Sequence, residues 1–187
     1  SRDGLEAAGK IAAKSAARLL CDTFTPRLAR GAGVVAVERL PYFAEAAIAF
    51  LKDVEQLILV GAKPPVSFFA TPGRPGAMAP PDCAMLYLST PQQDGIEEQE
   101  AVANAMAAPR KGVPRAQYRA DDLRTDKFNA HSIGQVMARH LPEGAILCEE
   151  AATSAATVLQ HTATAHAHDV LSLTGGAIGQ CLPLATA

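Results

Sequence analysis

Leu57-Ile-Leu-Val60 is an unbroken apolar run that stops at Gly61, and it stands directly behind a segment with helical spacing. That segment, Pro41 to Lys52, opens on a proline suited to a first helical turn and repeats apolar residues every three or four positions. A short continuous apolar run bounded by glycine suits a central parallel strand covered on both faces. Met85-Leu-Tyr-Leu88 repeats the strand pattern, and Asp94 to Ala107 reads as a helix whose first turn carries Glu97, Glu98 and Glu100. Helix, strand, strand and helix in this order predict an α/β chain with a small, doubly wound, mostly parallel sheet.

The same alternation extends to both sides. Residues 4 to 17 are Ala- and Lys-rich with helical spacing, and Arg18-Leu-Leu-Cys21 is a short apolar run suited to a buried strand. Gly31 and Gly33 lie in a loop before Val34, and the proline-rich stretch from Ala62 to Asp82 reads as ordered irregular loop. From Ala108 to Asn129 the composition turns to Pro, Arg and Asp without periodicity, the pattern of an interdomain linker. Beyond it come a helix at His131 to His140, a strand at Ala145 to Cys148, a helix from Ala155, and a strand at Val170 to Leu173. The expected organisation is a central α/β domain over residues 1–110, a linker over 111–128, and the start of a second α/β domain over 129–187.

Composition narrows the function classes. The chain has 187 residues, 49% of them hydrophobic and 19% charged, which is ample for a core and unlike a disordered segment. Its 17 basic and 19 acidic residues are mixed along the chain, so no electrostatic footprint for nucleic acid or an anionic membrane is expected. The amino terminus has no signal-peptide core and no apolar run reaches bilayer length, so a cytoplasmic location is expected. Cys21, Cys83, Cys148 and Cys181 stand singly and read as reduced thiols. His161, His166 and His168 lie close together in what reads as a small-residue loop rather than a zinc site.

Two stretches could carry chemistry. Leu171-Ser-Leu-Thr-Gly-Gly-Ala-Ile-Gly-Gln180 is a strand, a glycine cluster and the start of a helix, which brings backbone N–H groups toward a helix terminus with no Cβ in the way. Gly175, Gly176 and Gly179 do not space as a dinucleotide fingerprint, and no P-loop lysine is present, so spacing alone makes this a tight strand-to-helix turn. Cys148-Glu-Glu-Ala-Ala-Thr-Ser154 also leaves the carboxyl end of a strand. Thr153 and Ser154 could donate to phosphate oxygens, or could simply cap the next helix with Glu149 and Glu150 solvated. Both loops should open on one edge of the same sheet, where one ligand could touch both.

The pair CEEAATS and LTGGAIGQCLPLATA resembles the start of the cofactor-binding domain of thiamine-diphosphate enzymes of the acetolactate synthase and benzoylformate decarboxylase group. Glu55 to Phe69 resembles the central domain of an acetolactate-synthase-like subset. The resemblance implies that Gly176 offers its carbonyl to the aminopyrimidine, that Ile178 is the apolar wedge that holds the cofactor bent, and that Ala152 and Thr153 meet the diphosphate. It further implies thiamine diphosphate with Mg2+, a 2-oxo acid substrate, decarboxylation or carboligation, and a homodimeric or homotetrameric parent. Cys181 stands where the family usually has glycine, and Ala152 where the subset often has a polar residue. The family's metal-binding segment and activating glutamate have no counterpart here, so the chain reads as an inactive fragment with no catalytic or metal-ligating residue of its own. FAD sits in the central domain of some relatives; the glycines Gly31, Gly33 and Gly61 do not by themselves support it. The alternative function is a non-catalytic FAD- or ADP-binding module or a degenerate remnant.

Overall fold

The computed structural model describes residues 1–70, 72–109, 111–119, 127–151 and 153–186. The chain divides into two compact units, one made of Ser1–Leu5, Phe24–Ala36 and Gly112–Ala187, the other of Glu6–Thr23 and Val37–Lys111. Both combine helices with small sheets, so the protein is mixed α/β. Among the described residues no helix is long and apolar enough to cross a membrane.

In the unit built around residues 37–111, the part of α1 (Arg2–Ser15) from Glu6 onward leads into β1 (Leu20–Cys21), which pairs in parallel with β3 (Glu38–Arg39). Arg18 ties the two segments together, forking onto the Glu38 carboxylate at 3.0 Å while its guanidinium lies 4.4 Å over the Phe50 ring. The helix expected from Pro41 begins at Ala44, as α2 (Ala44–Leu51). Its Ala47 and Leu51, four residues apart and so on one face, are buried with Leu40 and Met78. Met78 comes from the proline-rich stretch, in which Val66 and Ala77 form an antiparallel bridge and Met78 N–H donates to the Pro65 carbonyl at 3.1 Å.

β4 (Gln56–Val60) and β5 (Ala84–Ser89) are parallel, as their apolar runs suggest. Covering on both faces is not found. The two strands form a two-stranded sheet in which Ile58 is 48% exposed and Leu86 and Tyr87 are half-exposed, because α3 (Gly95–Ala105) meets only the carboxyl end of the pair. Asp94 caps α3, accepting from the N–H groups of Ile96 and Glu97. At the other end Ala108 N–H reaches the Ala103 carbonyl and Ala107 N–H the Asn104 carbonyl, with Ala107 itself left-handed at φ 49°. That is a Schellman stop carrying alanine where glycine is usual.

The other unit holds a three-stranded sheet in the order β2 (Arg27–Arg30), β7 (His168–Ser172), β6 (Ile146–Glu149). β6 and β7 are parallel, whereas β2 runs antiparallel on the far side of β7. No strand is legible at Arg27-Leu-Ala-Arg30, because an edge strand with a charged residue at each end lacks the apolar run that marks the others. It is fastened by Arg27 to the Asp169 carboxylate at 2.6 Å and by Arg30 to the Leu159 carbonyl at 2.9 Å. His168, Val170 and Ser172 alternate into the interior, while Ala29, Val34 and Ala167 form a small core with Leu5.

α4 (Ala130–His140) starts on a capping box, Asn129 accepting from Ser132 N–H while the Ser132 hydroxyl accepts from Asn129 N–H. α5 (Ala155–Thr162) packs along it, and α6 (Cys181–Ala185) closes the described chain. Residues 112–119 are hydrogen-bonded into this unit: Gly33 and Val34 exchange bonds with Ala116, Arg119 N–H donates to the Thr164 carbonyl, and Tyr118 stacks on His166 at 4.4 Å.

Candidate functional site

The parallel register pairs Cys148 with Leu171 and Glu149 with Ser172, and Leu173 N–H donates to the Glu149 carbonyl at 3.0 Å. The loops 150–154 and 174–180 therefore leave the same carboxyl edge of the sheet side by side. This is where ligands of α/β sheets collect.

Successive strand residues point to opposite faces. Glu149 goes inward and is 9% exposed, which corrects the reading of both glutamates as solvated. Glu150 turns the other way and spans the two loops, its Oε2 accepting from Gly179 N–H at 2.8 Å and Cys181 N–H at 3.0 Å. These bonds to the charged form hold its carboxyl below the ordinary value of 4.5, the Cys181 amide contributing most. Burial pushes the Cys181 thiol up, and the adjacent Glu150 charge pushes the same way. That thiol is held protonated, as a packing group rather than a nucleophile.

The second loop is clamped across its own base. The Gln180 side-chain carbonyl accepts from Thr174 N–H at 3.1 Å and from the Thr174 hydroxyl at 2.7 Å. Between these clamps Gly175, Gly176 and Gly179 all adopt left-handed φ, at 61°, 71° and 102°. A Cβ on Gly175 or Gly179 would meet no atom within 4 Å, so neither glycine is there to avoid an internal clash. Ile178 on this loop is 77% exposed, and Leu182 in the following α6 is 75% exposed.

Of the residues singled out in the sequence, Thr153, Gly176 and Ile178 thus lie on the two adjoining loops, and Ala152 lies outside the described residues. Ser154 occupies the N-cap of α5 but its side chain makes no capping hydrogen bond, and Thr153 is exposed. Glu150, which the sequence offers only as a solvated acid, is the residue that joins the two loops. Its signal was present: an acid immediately beyond an apolar strand, opposite in parity to a buried residue and followed downstream by three glycines.

Gly31 and Gly61 serve the chain itself. A Cβ on Gly31 would come 2.4 Å from the His166 carbonyl oxygen, and Ala32 N–H already donates to Ala165. Gly61 N–H donates to both the carbonyl and the hydroxyl of Ser89. Amides committed in this way are not offered to a phosphate.

No family model matches the chain, and no solved structure matches it. A curated mycobacterial protein does. The Mycobacterium tuberculosis protein named "Putative acetolactate synthase large subunit IlvX" is 44% identical over 182 residues. The match takes in 97% of this chain and 35% of that protein, so the chain spans about a third of the length of the curated relative it matches. Over that stretch the chain is similar to the protein so named.

Proposed function

We propose that the chain supplies one wall of a thiamine-diphosphate site in an acetolactate-synthase-like 2-oxo acid enzyme. The observation that supports this best is the Glu150 bridge. One carboxylate holds the loop after β7 against the loop after β6, so that Gly176, Ile178 and Thr153 are presented together along one sheet edge.

The residues present fit the group. An exposed branched side chain, Ile178, next to Gly179, where a Cβ would meet no atom within 4 Å, can lie against a flat apolar ring. Gly176 would offer its carbonyl to the aminopyrimidine amino group, and Thr153 with Ala152 would meet the diphosphate. When bound, the cofactor supplies a carbanion at its thiazolium ring. The chain's own part is to orient: Ile178 restricts the ring's position, and Glu150 prevents the two loops from separating. Mg2+, decarboxylation or carboligation of a 2-oxo acid, a homodimeric or homotetrameric assembly, a cytoplasmic location, and a doubly wound sheet completed by further strands belong to the same proposal for the whole enzyme. In this reading the chain carries no catalytic residue and no ligand to the cofactor's Mg2+.

Amide chemical shifts in titrations with thiamine diphosphate test it. Weak binding is expected, with shifts confined to residues 151–154 and 174–181 and reduced in Ile178→Ala. Shifts centred on residues 31–33 or 61–63 would refute the assignment, as would no shift at any attainable concentration.

A further inference from the structure

We infer that His131 and His161 form a second site, an exposed two-imidazole chelate for a borderline divalent transition ion such as Cu2+ or Zn2+. His161 Nε2 lies 2.8 Å from His131 Nδ1, with the rings edge to face at 4.4 Å and 76°. The two side chains come from different helices, α4 and α5, and the packing between those helices sets their positions. A Cβ on Gly134 would fall 2.8 Å from His161 Cδ2 and 3.2 Å from Val158 Cα, so the His161 ring occupies a notch that only glycine leaves. His131 stands three residues before that notch, on the same face of α4.

The spacing is close to what a metal requires. Two nitrogens bound at about 2.0–2.1 Å lie about 2.9 Å apart at a right-angled centre and about 3.4 Å apart at a tetrahedral one. Admitting an ion therefore takes an opening on the order of 0.1–0.6 Å together with a swing of both rings, so that lone pairs now aligned along the hydrogen bond converge on one point beside it. The exchange balances without net release of protons. The N–H that bridges the rings is lost from one nitrogen, that ring takes the tautomer protonated on its other nitrogen, and both lone pairs then face the cation.

Among the described residues no group of three or more His, Cys, Asp or Glu is placed to hold a metal. Water would complete the coordination, and the ion would remain exchangeable. Imidazole selects borderline ions, with Cu2+ bound more tightly than Zn2+. Mg2+, which prefers oxygen ligands, is excluded from this pair and is not the ion of the proposed cofactor. The other nearby histidines are committed elsewhere: His166 stacks on Tyr118, and His168 is buried with Nδ1 on the His166 carbonyl.

The test is calorimetric titration of the untagged chain with CuCl2, ZnCl2 and MgCl2, with circular dichroism to confirm folding of each variant. One ion per chain is expected for Cu2+ and Zn2+ and none for Mg2+, with Cu2+ spectra showing nitrogen coordination. His131→Asn and His161→Asn each remove one of the two ligands and should each abolish the one-to-one binding, whereas an outer-sphere loss would only weaken it by roughly 10–100-fold, and His166→Asn should leave it intact. Unchanged binding in a folded His131→Asn variant would overturn the proposal, as would a loss that follows His166 instead.

Discussion

The Glu150 carboxylate lies 2.8 Å from the amide of Gly179, across 29 residues of sequence, and the same oxygen takes the Cys181 amide. A charged acceptor shared by two loop amides makes the docking of the second loop depend on pH. The folded-state carboxyl is held below its ordinary 4.5, so the linkage stabilises docking above that value and is lost as pH falls through the lowered one. Hydrogen-exchange protection at Gly179 and Cys181 should accordingly fall with acidification in the natural chain. In Glu150→Gln, which keeps an acceptor but not the charge, that pH dependence should vanish; an unaltered profile would show that the carboxylate does not hold the loop.

His168 predicts a second, separate transition. It is fully buried, its Nδ1 meets the His166 carbonyl, and its Nε2 has no hydrogen-bond partner among the described residues. Burial, with a contribution from Arg30, keeps its pKa below the ordinary 6.5. The unfolded chain therefore binds the proton first. Stability is complete above 6.5 and should fall by up to about 1.4 kcal/mol per pH unit below it, until the folded imidazole also protonates. Urea unfolding between about pH 8 and pH 5 reads this slope, and His168→Gln should flatten it.

Gly31 and Gly33 share left-handed backbone but not surroundings. Alanine at Gly31, φ 93°, would drive its Cβ to within 2.4 Å of a backbone carbonyl that cannot swing away. Backbone strain and overpacking together should cost roughly 2–5 kcal/mol. Alanine at Gly33, φ 78°, meets open space and should cost only the strain of roughly 1–2 kcal/mol. Equal denaturation midpoints for the two variants would contradict the close approach.

Ala107 offers the opposite case. It is exposed and left-handed at the end of α3, with the helix-stopping hydrogen bonds already in place. Ala107→Gly relieves the backbone strain but adds freedom to the unfolded chain. The balance predicts a gain of about 0.5–1 kcal/mol, readable as a higher thermal midpoint.

What the sequence determined by itself was local. Apolar runs placed β4, β5, β6 and β7 to within a residue or two, helical spacing placed α2 to α5, and the sequence of strand followed by loop made the loops after β6 and β7 candidates for one edge. Each of these signals is carried by neighbours in sequence. Tertiary structure alone decided the rest. Arg27-Leu-Ala-Arg30 becomes a strand only because β7, with Asp169 142 residues away, supplies its partner. Glu149 and Glu150, adjacent and chemically identical, part into an interior residue and a loop clamp only once the Gly179 and Cys181 amides arrive. His131 and His161 meet only because Gly134 lets α5 approach α4. Residue type fixes what a side chain can bind; the distance across the fold determines whether a partner is there.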